Sequence, residues 1–259
     1  MGSSGPSVGT LEDLRNALEQ NVLLTLFWHE VKQGFRSWLY RGWIVLTFFF
    51  LFFFLLIDFT SEGGEGSGVI LLLYYFAFLG SLYSVVVGSA AITGEARGIA
   101  DSLLSKAVRR WEYILSKYLS QLFLALFVFA LIIGLASLIL HAFDRVDEDV
   151  DWWNAGALVG MIALVVVFFT SAGLLFSTLA SRTVFAFLMG MGAWFVLIFL
   201  FAVSPSWDLM YSPIQIMDNW EAIMDGAWDI DWWKLVSFYV VTPVACVLVS
   251  LLAFYQRDL

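Results

Sequence analysis

GEARGIADSLLSKAVRRWEYILSK, residues 94–117, decides the fold, because it is an island of charge and helix-forming residues between two long hydrophobic runs. On either side, Val69 to Thr93 and Tyr118 to Leu140 contain no Asp, Glu, Lys, Arg or His. Each exceeds the ~20 apolar residues that cross a hydrocarbon core, so both read as membrane-spanning helices. The same criterion finds Trp43 to Ile57, Trp152 to Leu179, Val184 to Val203 and Leu235 to Tyr255, which makes six spans. The first has an uncharged core of only 15 residues, although the sequence stays apolar to Phe59 beyond Asp58. With 61% hydrophobic and 14% charged residues, against roughly 25% charged in soluble domains, the composition excludes a water-soluble protein. The expectation is an all-α integral membrane protein.

Lys and Arg near span ends are retained in the cytoplasm. Arg15, Lys32, Arg36 and Arg41 precede the first span, and Arg97, Lys106, Arg109, Arg110 and Lys117 lie on the island. Arg182 and Arg257 follow the fourth and sixth spans, so only Arg145 and Lys234 fall on the other side. Both termini and the island are therefore expected in the cytoplasm, in a multi-pass protein of the cell membrane. The inner face then carries 11 bases and 8 acids, the outer face 2 bases and 14 acids, consistent with the overall charge of −9. The acidity belongs to the outer surface, in residues 144–151 (DRVDEDVD) and 208–231. Such a surface attracts cations or simply stays solvated. The single cysteine excludes an intrachain disulfide and any CxxC motif. The first apolar run follows a long polar segment and lacks a small-residue cleavage site, so it reads as a span and not a removable leader.

Residues 1–22 are expected to be a polar, mobile segment, followed by one transmembrane domain over 23–259. Within 24–39 the spacing puts Leu24, Trp28, Val31, Phe35, Trp38 and Leu39 on one helical face, with Glu30, Lys32, Gln33 and Arg36 on the other. Aromatic residues opposite bases favour a helix lying in the membrane interface; a helix packed on the protein's own core is the alternative. Between the fifth and sixth spans, Ile214, Met217, Trp220, Ile223 and Met224 recur at helical spacing, predicting short outer helices. Trp152, Trp153, Trp207, Trp228, Trp232 and Trp233 form an outer aromatic belt. Small residues at packing spacing, Gly80, Ser84 and Gly88 on the second span and Gly156 and Gly160 on the fourth, suit packing within the subunit or else a dimer face.

Catalytic patterns fail. His29-Glu30 starts like a zinc-protease helix, but position 33 is Gln, which removes the second ligand. The other histidine, His141, lies at the opposite end of a span. No GxxxxGK[ST] phosphate loop exists. Ion-coupled carriers normally place ionisable groups inside the bilayer, and here the nearest, Asp58 and Glu95, stand at span ends. On the island, Ile99, Leu103 and Leu104 recur at helical spacing with Asp101 and Lys106 between them, and Arg109-Arg110-Trp111-Glu112 starts a second helix that feeds the third span. A short helix below the membrane can either hand motion from a cytosolic partner to two spans or merely stabilise the inner surface.

The run from Gly94 to Ser105, with Val108 to Lys117, resembles the loop of the type-2 ATP-binding-cassette (ABC) permease family, in which a Glu and a Gly closing the second span precede a Leu-Leu helix. His29 to Ser37 resembles the family's amphipathic elbow helix, with Glu30, Phe35 and Arg36 in the matching run, and Phe254…Arg257-Asp258 resembles its usual ending. One departure is Ala107, where many relatives have Pro. The resemblance implies that Glu95 and Gly98 close the second span. It further implies that Asp101 to Leu104, with Leu103 and Leu104 at the tip, form a coupling helix on a cytosolic ABC ATPase, with Arg109 and Arg110 beside it. The expected protein is a non-catalytic permease subunit of an ATP-driven exporter. ATP and magnesium are expected in the partner ATPase, none in this chain, and a second permease copy or a paralogue completes the pathway; no nucleic-acid partner is expected. An ion-coupled or facilitative carrier and a non-transporting scaffold are the alternatives; copurification of an ATPase separates the exporter from the carrier, and a scaffold should show no substrate-stimulated ATPase activity.

Overall fold

A computed structural model describes residues 22–60, 67–93, 109–145, 151–200 and 210–256. Every regular element among them is a helix: α1 (Val22–Arg36), α2 (Trp38–Thr60), α3 (Gly68–Ala90), α4 (Arg110–Ala142), α5 (Trp152–Leu179), α6 (Thr183–Phe195), α7 (Pro213–Asp218), α8 (Trp220–Met224) and α9 (Trp232–Tyr255). Five of them, α2, α3, α4, α5 and α9, are long and apolar enough to cross a membrane. The apolar helix α6 continues through a π turn, Val196–Leu200, and is shorter among the described residues. The expected polar lead lies outside the described residues except for Val22, the first residue of α1.

The first span, short by composition, is a full 23-residue helix. Asp58 is accommodated because it is wholly buried and its Oδ1 accepts from the Gly68 N–H at 3.2 Å, meeting the first turn of α3. One carboxylate thus supplies an acceptor where helix N-termini have spare donors. The expected face from Leu24 to Leu39 is corrected at its end. Helix α1 stops at Arg36, and the Ser37 Oγ accepts from the Tyr40 N–H at 3.2 Å. That is the N-cap bond to the third helical residue, so Trp38 and Leu39 begin α2 and leave the face of α1.

The centre of the bundle is α5, with 67% of its most apolar window buried, against 28% for α2 and 22% for α9. Its main partner is α3, and the two backbones meet at glycines. A Cβ on Gly88 would stand 2.9 Å from the Thr170 carbonyl oxygen and 3.0 Å from the Gly173 Cα, while one on Gly173 would stand 2.9 Å from the Val85 carbonyl oxygen. Van der Waals approach of this kind holds helices together where lipid is as apolar as the side chains. Gly88 packs within the subunit; on the fourth span that contact is made by Gly173, while Gly156 and Gly160 face open space.

Among the described residues, π turns occur at Phe76–Gly80 in α3, Val196–Leu200 after α6 and Ser237–Val241 in α9. The first is stabilised by Ser81, whose Oγ reaches the carbonyls of Ala77 and Phe78 at 2.6 and 2.8 Å and accepts from Trp194 Nε1 at 2.9 Å. Edge-to-face contacts of Phe78 with Trp194 and Phe199 join α3 to the π turn following α6. The short helices predicted in this segment are α7 and α8, meeting at Asn219, which is not helical itself (φ −102°, ψ 18°). Ser212 and Gln215 cap α7 reciprocally, with Pro213 in its first turn. Tyr74 Oη donates to the Met217 carbonyl at 2.9 Å, Tyr239 Oη to that of Tyr211 at 2.7 Å, and Asn154 Nδ2 to that of Met224 at 3.0 Å, pinning this segment to α3, α9 and α5. Trp152, Trp153, Trp232 and Trp233 are exposed at the same end. Trp228 instead packs edge-on against Tyr211.

Candidate functional site at the island end of the bundle

Residues 94–108 lie outside the described residues, and with them Glu95, Gly98, Asp101, Leu103 and Leu104. What the structure places is the frame from which that segment hangs. Helix α3 ends at Ala90, and a turn carries the chain through Ile92 and Thr93. Both of their N–H groups donate to the Oγ of Ser177 in α5, at 3.0 and 3.1 Å. A single buried hydroxyl thus fixes the last residues before the island to the central helix. On the far side of the island, Arg109 is the N-cap of α4, with extended backbone, and its N–H donates to Glu112 Oε2 at 3.0 Å. An acid in the first turn also suits the positive end of the helix dipole.

Arg110 is next, and its Nη1 donates to the Tyr255 carbonyl at 2.9 Å. The same guanidinium stands 5.9 Å from the centroid of the Tyr255 ring. Carbonyls at a helix C-terminus have no partner within the helix and favour a cation, so Arg110 joins the start of α4 to the end of α9. Beneath them Ala91, Ile92, Tyr113, Ile114, Leu174 and Phe254 form a small buried cluster separate from the main core. The Tyr113 and Phe254 rings stack at 5.9 Å. Helices α4, α5 and α9 and the turn that follows α3 are therefore joined by apolar contact at the level where the island begins and ends.

A third tie reaches the amphipathic helix. Lys117 Nζ donates to Glu30 Oε2 at 2.7 Å, with side chains only 3% and 12% exposed. Lys117 also lies 5.7 Å from the Tyr113 ring centroid. Helix α1 packs on α4 through Val31, with Leu23, Leu24, Phe27 and Gly34 half-buried, while Trp28 and Phe35 remain exposed on the flank. Phe35 meets Tyr40 and Phe127 edge-on at 5.1 and 6.0 Å. Arg36 is exposed in the last turn of α1, where a base suits the helix dipole. Of the two alternatives, packing on the protein's own core is realised.

Sequence reasoning brought forward Glu30, Arg109 and Arg110, which the structure gathers at one end of the bundle. It missed Ser177 and Tyr255. A serine among apolar residues of a span carries no mark of function, and Tyr255 contributes its carbonyl, which is independent of residue type. Lys117 was visible as the base entering the third span, but its partner 87 positions away was not. The Ser177 cap gives a local prediction. In Ser177→Ala the two donors lose their acceptor, an effect of about 1–2 kcal/mol, and amide exchange at Ile92 and Thr93 should quicken roughly tenfold or more. Unchanged protection at both amides would show the cap to be incidental.

A bundle of apolar helices, tied by polar contacts at the end where a charged segment begins and ends, defines a multi-pass membrane protein. The model of the ABC-2 type transporter family matches residues 21–217, and the chain belongs to that family: it is a transmembrane permease component of an ABC transporter. No curated protein matches it. Permeases of this family normally work with an ATPase subunit.

Proposed function

We propose that this chain is the membrane subunit of an ATP-driven exporter, with six spans, both termini in the cytoplasm and residues 95–110 docked on a separate ABC ATPase. The observation that carries this reading is the triple tie of the island frame: Thr93 to Ser177 in α5, Arg110 to Tyr255 in α9, and Lys117 to Glu30 in α1. A push on the island is delivered through short polar contacts to four helices together. In this reading α6 is the fifth span, completed by residues 201–203, and α1 is the elbow helix. Leu103 and Leu104 enter a cleft of the ATPase, Asp101 and Gly98 shape the turn, Glu95 closes the second span and Arg109 lies beside the contact. ATP and magnesium are held by that partner, and a second copy of this chain or a paralogue encloses the pathway. Asp58, the acid nearest the membrane core, serves α3 through Gly68, which leaves ATP as the energy source in preference to a coupling ion. To move a permease from 1:99 to 99:1 between inward- and outward-open states takes about 5.5 kcal/mol, a differential that ATP-driven closure of the ATPase pair supplies through the hub.

The test is copurification. Wild type should retain an ATPase chain from its own cell membrane, and Leu103→Asp or Leu104→Asp should lose it roughly tenfold or more, since each buries a charge in an apolar cleft. Equal recovery, with transport that needs no nucleotide, would point to a carrier instead. Direction is read separately, from nucleotide-driven uptake into inverted vesicles.

A further inference from the structure

Between α1, α2, α3 and α4, at the end of the bundle where Glu30 meets Lys117, lies a cavity of about 230 Å³. At roughly 30 Å³ per molecule it has room for about seven waters. Its walls combine apolar side chains, among them Leu39, Val87 and Leu124, with Gln33, Tyr83, Gln121 and the Glu30–Lys117 pair. A deeper cleft shares Tyr83, Val87, Gln121 and Leu124 and reaches Thr170, but at about 10 Å³ it takes one water at most. The cavity is therefore a blind niche, closed toward the core of the bundle.

Three features define what fits. The charges in the wall are one carboxylate and one ammonium 2.7 Å apart. A ligand of net charge would meet an already compensated pair and lose its hydration without gain, whereas a group bearing both signs meets both. The side chains of Gln33, Gln121 and Tyr83 make no hydrogen bond to the described residues, so their amides and hydroxyl offer donors and acceptors that are not in use. Tyr83 is held ready by stacking on Trp43 at 4.3 Å. Finally, Leu39 at the cavity and Trp38 next to it are 47% and 88% exposed, an apolar lip beside a polar niche at the start of a membrane-crossing helix.

We propose that this niche binds the headgroup of a phosphoethanolamine lipid. The phosphate is received by Lys117 and the Gln33 and Gln121 amides, the primary ammonium by Glu30, and the acyl chains leave over Leu39 and Trp38 into the bilayer. Such a lipid sits against both partners of the tie between α1 and α4, so its presence bears on the rigidity of that tie. The site is independent of which molecule the transporter moves.

The full-length chain is reconstituted in vesicles of phosphatidylethanolamine with phosphatidylglycerol, or of phosphatidylcholine with phosphatidylglycerol, then extracted, and retained lipid is counted by native mass spectrometry. Wild type should keep one phosphatidylethanolamine in preference to phosphatidylglycerol by about tenfold or more, the worth of one or two hydrogen bonds. Phosphatidylcholine, whose quaternary nitrogen has no N–H to donate, should be kept less. Gln121→Leu, close to isosteric, should lower retention about tenfold with an unchanged melting temperature. Gln33→Leu, at an exposed position, gives the same reading should Gln121→Leu fail to fold. Equal retention of the three lipids, or retention unaffected in a folded variant, overturns the proposal. Displacement of the lipid by millimolar free phosphoethanolamine would assign the niche to a soluble zwitterion and overturn the lipid assignment.

Discussion

Lys117→Met, made with Glu30 intact, should be the most damaging single change at the island end. It leaves a carboxylate, 12% exposed, in the wall of the bundle without the ammonium that compensates it. Breaking a buried ion pair from one side costs about 3–5 kcal/mol, and the neighbouring cavity, which admits water, places the loss near 3 kcal/mol. The expected result is a fall in folded, monodisperse yield and a melting temperature several degrees lower. The partner change decides the cause. Glu30→Gln in the Lys117→Met background removes the stranded charge, and neutral replacements of a buried pair are often close to neutral in stability, so the double variant should recover most of the loss. If it melts no higher than Lys117→Met alone, the damage comes from packing around Lys117 and not from the pair.

Gly88→Val is the second large effect, and its origin is steric. The first carbon of any side chain would meet the Thr170 carbonyl oxygen at 2.9 Å and the Gly173 Cα at 3.0 Å. Both are backbone atoms, so no rotamer change makes room and α3 must move away from α5. Overpacking typically costs 1–3 kcal/mol, and an obstacle of this kind places the change at about 3 kcal/mol. Because α5 is the most buried helix, the displacement spreads to α9 and α6, which also pack on it. Gly156→Ala and Gly160→Ala are the controls: no neighbouring atom lies within 4 Å of where their Cβ would stand, and they should melt at or slightly above wild type, given that Ala is the better helix former by ~1 kcal/mol. A Gly88→Val protein that melts with wild type would remove the α3–α5 glycine contact from the account of stability.

Most of the architecture was legible because the bilayer imposes a simple rule. Backbone polar groups in hydrocarbon must be satisfied within the segment, so a long uncharged run is a helix whatever surrounds it. The island, the amphipathic α1 and the helical spacing between the last two spans were read on the same grounds. The errors came where one side chain acts at a boundary. Ser37 caps α2 and ends α1 before Trp38; Asp58 extends the first span by being buried, where a count of charges ends it. Each is a hydrogen bond made or missing at one atom, which hydrophobic spacing does not record.

Composition and periodicity by themselves determined that the chain lives in a membrane, that it is helical, and that a charged segment separates the second and third spans. These are local consequences of transfer free energy, summed over neighbours in sequence. Tertiary structure alone decided which glycine meets which, Gly88 on Gly173 with Gly156 and Gly160 left open, and which groups tie the residues flanking the island, Ser177, Tyr255 and the Glu30–Lys117 pair. Such pairings depend on the angle and depth at which helices cross. That geometry is set by packing among residues some 80 to 145 positions apart, beyond the reach of any pattern along the chain.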